Sequence, residues 1–489
     1  MPEPCACVLT AGAIGRTVRS AAEPANRQGE TVTTSSSERA AAASAFDAQP
    51  ALPDPGSVRS LLSEHLLVDG LDLVIDLERS QGATLVDART GAGYLDLFTF
   101  FASNALGMNH PALLEPAVQR RLARAATNKP SNSDVYTGEL AAFVSTFVRV
   151  LGDPALPYLF LIEGGALAVE NALKTAFDWK SRHNEAAGRD PAVGTQALHL
   201  TGAFHGRSGY TLSLTNTDPN KTARFPKFDW PRIDTPALQF PLQEHERTNT
   251  AAEDHALEQA RAAFAAHRHD IACVVAEPIQ GEGGDRHLSA RFLQQLQSLA
   301  HQHDALFVLD EIQTGVGMTG SPWAYQQLGL APDVVAFGKK THVCGVMAGG
   351  RLDEVDEHVF KVSSRLNSTF GGSLADMVRA TVILETIERD GLIERASEVG
   401  ADLLTQLRRL SERQPAITQP RGRGLMCAVD LPDPASRDEV VRRLFTDERV
   451  VALGCGTRSV RFRPPLTVAP SELTNGVEAL ERVTESVCR

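Results

Sequence analysis

Unbroken apolar runs, each closed by a glycine or a charge, recur through the middle of the chain. They are Tyr158-Leu159-Phe160-Leu161-Ile162, Ala197-Leu198-His199-Leu200, Ile271-Ala272-Cys273-Val274-Val275-Ala276, Ala305-Leu306-Phe307-Val308-Leu309 and Asp333-Val334-Val335-Ala336-Phe337. Strands that are apolar throughout belong to parallel sheets covered on both faces. Helical periodicity lies between them, as in the amphipathic stretch after Ile162 that runs through Leu173 and Phe177. The alternation predicts a large α/β domain with a mostly parallel sheet over 111–368. Upstream, Ser57 to His65 reads as a short helix, and Leu71–Leu97 as two strand-like pieces around the turn Asp87-Ala88-Arg89-Thr90-Gly91. After Thr369 a helical run from Leu374 to Leu410 is interrupted near Asp390-Gly391. Shorter strands follow at Gly424–Val429 and Val460–Phe462. This predicts a smaller α+β domain over 369–489, completed by the segment 58–110.

Residues 1–57 depart from this pattern. They are rich in Ala, Ser, Thr and Gln and end in Pro50, Pro53, Pro55 and Gly56, which predicts a disordered N-terminal extension. With 489 residues the chain exceeds one ordinary core. A net charge of −12 argues against a general nucleic-acid binder, and no apolar stretch is long enough to span a bilayer. The seven cysteines are scattered without metal-ligand spacing, which predicts no metal site and thiols in a reducing cytoplasm.

The chemistry starts at the strand ends. One run closes in Asp310-Glu311 and another in Gly338-Lys339. In open parallel sheets ligands sit beyond the carboxyl ends of the strands, so both charges fall where a ligand binds. A carboxylate and an amine in one crevice suit pyridoxal phosphate: the lysine can form a Schiff base with its aldehyde, and the aspartate can keep its pyridine nitrogen protonated. Taken singly, a lysine after a strand is an ordinary surface residue and an aspartate an ordinary helix cap.

Further parts accompany the pair. Glu163-Gly164-Gly165-Ala166 joins a strand to a helix, either as a phosphate cradle of free N–H groups or as a plain tight turn. In Gly202-Ala203-Phe204-His205-Gly206-Arg207, Phe204 can stack on a planar ring and Arg207 can clamp a carboxylate; a core aromatic and a surface arginine are the alternatives. Glu277-Pro278-Ile279-Gln280-Gly281-Glu282 closes a buried strand with two glutamates, and Gln313 follows Asp310 within hydrogen-bonding reach of a phenolic oxygen.

The motifs EPIQGEGG (277–284), LDEIQTGVGMTG (309–320), PDVVAFGKK (332–340) and VRFRPPL (460–466) resemble the class III, ω-amino aminotransferases. The longer strings FASNALGMNHP, NKPSNSDVY, LIEGGALAVENALKTAFDWKSRHN, GAFHGRSGYTLSLTNT, FPKFDWPRI and RLNSTFGG resemble the bacterial lysine ε-aminotransferase group, from about Val58 to the C-terminus.

The resemblance implies a PLP fold-type I homodimer with active sites at the subunit interface, acting on L-lysine and 2-oxoglutarate. It makes Lys339 the Schiff-base lysine, Lys340 its neighbour, Asp310 the pyridinium partner and Gln313 the partner of the phenolic oxygen. Gly165 and Ala166 would hold the phosphate, joined by Thr369 from the partner subunit, with Phe204 stacked on the ring. Arg207 would take the lysine carboxylate and the distal carboxylate of 2-oxoglutarate. Arg461 would take the α-carboxylate of 2-oxoglutarate, with Glu282 as a movable counter-ion, and Asn367 would line the pocket. Two departures stand out. Gly-Gly-Ala lacks the hydroxyl residue common in this loop, and Phe101 stands where a smaller apolar residue is expected in the substrate tunnel. The nearest alternative is another ω-aminotransferase, taking ornithine, GABA or a β-amino acid. A dinucleotide-dependent oxidoreductase would need a G-x-G-x-x-G fingerprint opening a βαβ unit, which the chain lacks.

Overall fold

The computed structural model describes residues 52–488. The extension expected over 1–57 therefore lies outside the described residues through Ala51; its last part is described, and there Pro55–Ser57 forms a 3-10 turn capped by Asp54. Residues 52–61 belong to a different unit from the chain that follows.

In the larger unit, from Leu62 on, the strands are β1 (Thr84–Val86), β2 (Gly93–Asp96), β3 (Tyr158–Ile162), β4 (Gln196–Leu200), β5 (Arg232–Ile233) and β6 (Ile271–Ala276). They continue as β7 (Ile279–Gln280), β8 (Arg286–His287), β9 (Leu306–Asp310), β10 (Val334–Phe337) and β11 (Cys344–Ala348). The last five are β12 (Thr418–Arg423), β13 (Met426–Asp430), β14 (Val450–Val451), β15 (Leu453–Cys455) and β16 (Ser459–Phe462). Among the longer helices, α1 is Pro116–Thr127, α2 Gly138–Leu151, α3 Gly165–Ala186, α4 Glu246–Ala266 and α5 Ala290–Gln302. Those that follow are α6 (Leu374–Arg389), α7 (Leu392–Arg413), α8 (Pro434–Thr446) and α9 (Pro470–Val487).

The central sheet has seven strands in the order β3-β11-β10-β9-β6-β4-β5. All its pairings are parallel except those made by β11, which runs against both β10 and β3. Both faces are covered, which explains the unbroken apolar runs. On one face Leu306, Val308, Val334, Ala336 and Val346 pack with Ala168, Ala172 and Ala176 of α3. On the other, Phe307, Leu309, Val335 and Phe337 pack with Phe143 and Phe147 of α2 and Phe292 and Leu296 of α5. Two main-sheet strands, β11 and the two-residue β5, were not announced by the apolar pattern. The first of these, β11, is the longer. It pairs Gly345 with Phe337 and Leu161, and a Cβ on Gly345 would lie 2.3 Å from the Phe160 carbonyl oxygen.

The C-terminal part builds an antiparallel sheet, β12-β13-β16-β15, against α7. A three-stranded sheet, β1-β2-β14, ties the segment near Leu95 to residues 450–451. The tie continues where the Arg463 N–H donates to Leu97 O at 2.7 Å and the Leu466 N–H to Ala105 O at 2.8 Å. Between these, Thr99–Ala102 forms a left-handed turn with φ from 42° to 66°. Asp96 holds it by accepting from the Phe98 and Thr99 N–H groups, and the Thr99 hydroxyl donates to Arg463 O.

Buried Arg421 joins this C-terminal sheet to the loop after β6. Its guanidinium donates to Gly284 O and Asp285 O, to Asp430 and to Ser459 Oγ, all within 2.8 Å. Removing one member of a buried, hydrogen-bonded ion pair leaves its partners desolvated and unpaired. Arg421→Met should therefore destabilise the fold by about 3–5 kcal/mol, seen as a lowered melting temperature in thermal denaturation.

Candidate active site

The carboxyl ends of β3, β4, β6, β9 and β10 open on one cavity of about 570 Å³. From these ends come Gly164, Gly165 and Ala166, then Phe204 and Arg207, then Glu277 and Glu282, then Asp310 and Gln313, and finally Lys339, all lining it. The register of β9 and β10 sets Ala336 opposite Asp310, three residues before Lys339. Lys340 turns away, buried, and donates to the Gln313 carbonyl at 2.9 Å. Of the lysine pair, only Lys339 lines the cavity.

Asp310 is held from two sides. Its Oδ1 accepts the Ile312 N–H at 3.1 Å, and its Oδ2 lies 2.8 Å from His205 Nδ1. Burial opposes charge on the His205 ring, but the bond to Asp310 outweighs it and raises the histidine's pKa. Glu277 stands nearby, accepting from the Phe204 and Gly281 N–H groups, and burial pushes its carboxyl well above the usual range. Burial also acts on Lys339, and with Arg461 and Arg463 near it brings the amine down to about 8.

Gln313 is oriented by a residue that the sequence did not single out. Buried Arg463 donates twice to Gln313 Oε1, both at 3.0 Å, and pairs with buried Asp285. With its oxygen committed, Gln313 has only its amide N–H donors left to offer, the polarity that a phenolate oxygen needs.

The opposite wall is ionic. Arg461, 3% exposed, does not itself line the cavity; its Nη2 is 3.1 Å from Glu282 Oε2, and its Nη1 donates to Gly281 O at 3.1 Å. Glu282 also contacts Lys221 through Oε1. Burial works against its charge, but Arg461 and Lys221 prevail and its pKa falls. Arg207 is exposed on the cavity wall, without an ion-pair partner among the described residues. Phe101, half exposed on the left-handed turn, puts its ring 5.9 Å from the Arg461 guanidinium.

Asn367 and Thr369 are not brought into this cavity by their own chain. Both are exposed, on the segment before α6 whose Ser368 carbonyl accepts from Ser133. Sequence reasoning missed His205, Glu277 as a wall of the cavity, Arg463 and Lys221. His205 and Arg463 lie inside the motifs named above, and their signal is a polar residue at a strand end or within a strand otherwise buried.

These groups fit pyridoxal phosphate. The first turn of α3 has no side-chain cap, so its N–H groups are open to a phosphate, and Gly164 enters it at φ 96°. Gly206 (φ 110°) lets the β4 loop close on this turn: a Cβ there would lie 2.5 Å from Ala166 Cβ. A buried carboxylate fixed by histidine, an amide N–H and an amine of lowered pKa complete the set.

Residues 68–484 match the model of the class III aminotransferases, and the chain belongs to that family. It is 62% identical over 434 residues to an L-lysine-epsilon aminotransferase of Amycolatopsis lactamdurans, covering 88% of this chain and 96% of that one. The solved lysine aminotransferase from M. tuberculosis in its internal aldimine form superposes with a TM-score of 0.87 at 60% identity, over 89% of this chain and 100% of the other. By contrast, a mitochondrial 4-aminobutyrate aminotransferase of Homo sapiens is 31% identical, over 85% of this chain and 86% of its own. The fold is the PLP fold-type I of its family, and the cofactor is pyridoxal 5′-phosphate.

The neutral form of an amine is its nucleophilic form, and lowering the pKa of Lys339 populates it at lower pH. When cofactor-free protein is mixed with pyridoxal phosphate, the rate of covalent capture should rise through about pH 8 and then level off. Stopped-flow absorbance reads this directly; a rate still climbing toward 10.5, the ordinary lysine value, would contradict the buried-amine geometry.

Proposed function

We propose that this chain moves the ε-amino group of L-lysine to 2-oxoglutarate, giving 2-aminoadipate 6-semialdehyde, which cyclises to piperideine-6-carboxylate, and glutamate. The observation that carries the reading is the pairing of buried Arg461 with Glu282, which lines the cavity together with Arg207, a cation without an ion-pair partner among the described residues. Lysine offers an amine at one end and a carboxylate at the other, so it needs a cationic anchor far from the reacting end and none beside it. With Glu282 on Arg461, Arg207 is the anchor that remains. The dicarboxylate 2-oxoglutarate needs both anchors, and Glu282 must give up Arg461 for it. Ornithine, GABA and β-amino acids have different spans between amine and carboxylate, and the long strings shared with the lysine group favour lysine.

When bound, pyridoxal phosphate supplies the electron sink that carries the amino group from one substrate to the other. The open N–H groups of α3 hold its phosphate and Phe204 covers its ring. Asp310, fixed by His205, holds the proton at the pyridine nitrogen, and Gln313 donates to the phenolic oxygen. Lys339 Nζ, whose neutral form is made accessible by a pKa lowered to about 8, takes a proton from the substrate's ε-carbon. Glu282 and Arg461 orient the substrate by deciding which carboxylate is accepted. We place a second subunit over the cavity mouth, supplying Thr369 to the phosphate and Asn367 to the substrate pocket, as both are exposed on their own chain. Cys273, Cys344, Cys427, Cys455 and Cys488 are free thiols, which suits a cytoplasmic setting. Among the described residues no helix is long and apolar enough to cross a membrane.

Lys339→Ala should abolish steady-state transamination while the fold survives, checked by coupled assay and circular dichroism. With the native enzyme and 2-oxoglutarate as acceptor, kcat/KM for lysine should exceed those for ornithine, 4-aminobutyrate and β-alanine by at least about tenfold, since one mis-spanned charge contact is worth a kcal/mol or more. Comparable values for ornithine would overturn the choice of donor.

A further inference from the structure

Glu282 is bound by two cations, and only Arg461 was legible as one of them. The other is Lys221, on the short turn of helix Pro219–Thr222 just beyond the GAFHGRSGYTLSLTNT string. Its ammonium meets Glu282 Oε1 while Arg461 meets Oε2, so one carboxylate is divided between two partners. Among the described residues Glu282 is the one carboxylate in ion-pair contact with Lys221. The same ammonium lies 5.9 Å from the centre of the Phe204 ring.

Beyond this pair lies a second cavity of about 420 Å³, lined by Lys221, Asp218, Arg437 and Asp438, and Glu282 lines both it and the cofactor cavity. Arg437 is already engaged by Asp438 and by the Cys455 and Gly456 carbonyls, which leaves Lys221 as the cation able to receive a carboxylate there. Glu282 is 24% and Lys221 32% exposed, against 3% for Arg461, so the carboxylate sits at a boundary between a dry partner and a wetter one.

We propose that Lys221 is a positioning residue for substrate exchange: it holds Glu282 when the carboxylate leaves Arg461, which makes room for a dicarboxylate. This rests on the reading that 2-oxoglutarate engages Arg461. Were Arg461 the sole partner of Glu282, baring it would strand a desolvated carboxylate, a costly state. With Oε1 already on Lys221, Glu282 leaves Arg461 by rotating toward the outer cavity and turning both oxygens to the ammonium, so the Lys221 contact is stronger with a dicarboxylate bound than at rest. Lysine binding leaves the Glu282–Arg461 contact in place and makes no demand on Lys221.

Lys221→Met, Lys221→Arg and Glu282→Gln, with the Lys221→Met/Glu282→Gln double variant, test this in the holoenzyme. Glutarate, a dicarboxylate that cannot react, is titrated by calorimetry, and KM is measured separately for the amine donor and for the keto-acid acceptor. Lys221→Met should weaken glutarate about three- to fivefold, the upper range for a part-exposed ion pair, and should raise the acceptor's KM relative to that of lysine. Lys221→Arg should restore both, and in the Glu282→Gln background the loss of Lys221 should have no further effect. Unchanged or tighter glutarate binding in Lys221→Met, or an equal rise in both KM values, would overturn the proposal. Glutarate binding does not depend on the amine donor. A failed donor assignment would thus appear in the donor panel while this result stood.

Discussion

The parallel pairing of Leu306–Asp310 with Val334–Phe337 is the constraint on which the rest of the site depends. It delivers a carboxylate and, one turn later, an amine to the same edge of a sheet with both faces sealed by apolar side chains. A charge at such an edge is expensive unless it is matched, and each neighbour can be read as an answer to that cost. Asp310 receives His205 and a backbone N–H. Lys339 receives no such match: Arg461 and Arg463 add to its burial, and it responds by giving up its proton more readily. The asymmetry suits the chemistry, which needs a carboxylate held firmly in place beside an amine that gives up its proton readily.

What could be read in advance followed from which interactions are local in sequence. An unbroken apolar run records burial on both faces, so β3, β6, β9 and β10 were legible, and with them the strand-end positions of Asp310 and Lys339. Antiparallel β11, equally apolar, carries the same signal but was not read from it, and β5, two residues long, is too short to carry the signal. Polar Thr418–Arg423 was missed for the opposite reason: it is a half-buried edge strand whose Arg421 is buried to bind distant Gly284 and Asp285. His205, Arg463 and Lys221 matter through partners between 61 and 178 residues away, and no local pattern encodes such pairs. Asn367 and Thr369 mark a further limit, since their own chain leaves them at the surface.

The left-handed turn Thr99–Ala102 shows strain held by its surroundings. Non-glycine residues at positive φ cost roughly 1–2 kcal/mol each, and four in succession persist here because Asp96 and Arg463 O fix the turn at its start. That start is tied to the strand carrying Arg461, and the turn ends by placing Phe101 against the Arg461 guanidinium. An aromatic face near a cation lowers the cost of leaving it partly unpaired. Phe101, larger than the resemblance to the lysine group leads one to expect, thus faces the same arginine that Glu282 caps.

Arg461 and Arg463 sit two residues apart on or just beyond β16, so they share a side of the chain, yet their surroundings give them different work. Arg463 is nearly saturated: Asp285, Gln313 and the Phe462 carbonyl occupy four of its five N–H donors, which makes it a fixed strut for the Gln313 side chain. Arg461 is under-satisfied, with a buried Nε that has no hydrogen-bond partner among the described residues and a carboxylate shared with Lys221. An arginine with nearly every donor used has little left to offer an incoming carboxylate. One that keeps a free donor and a divided counter-ion can exchange partners at low cost, and this difference, more than the presence of two arginines, separates an arginine free to accept a carboxylate from a structural one.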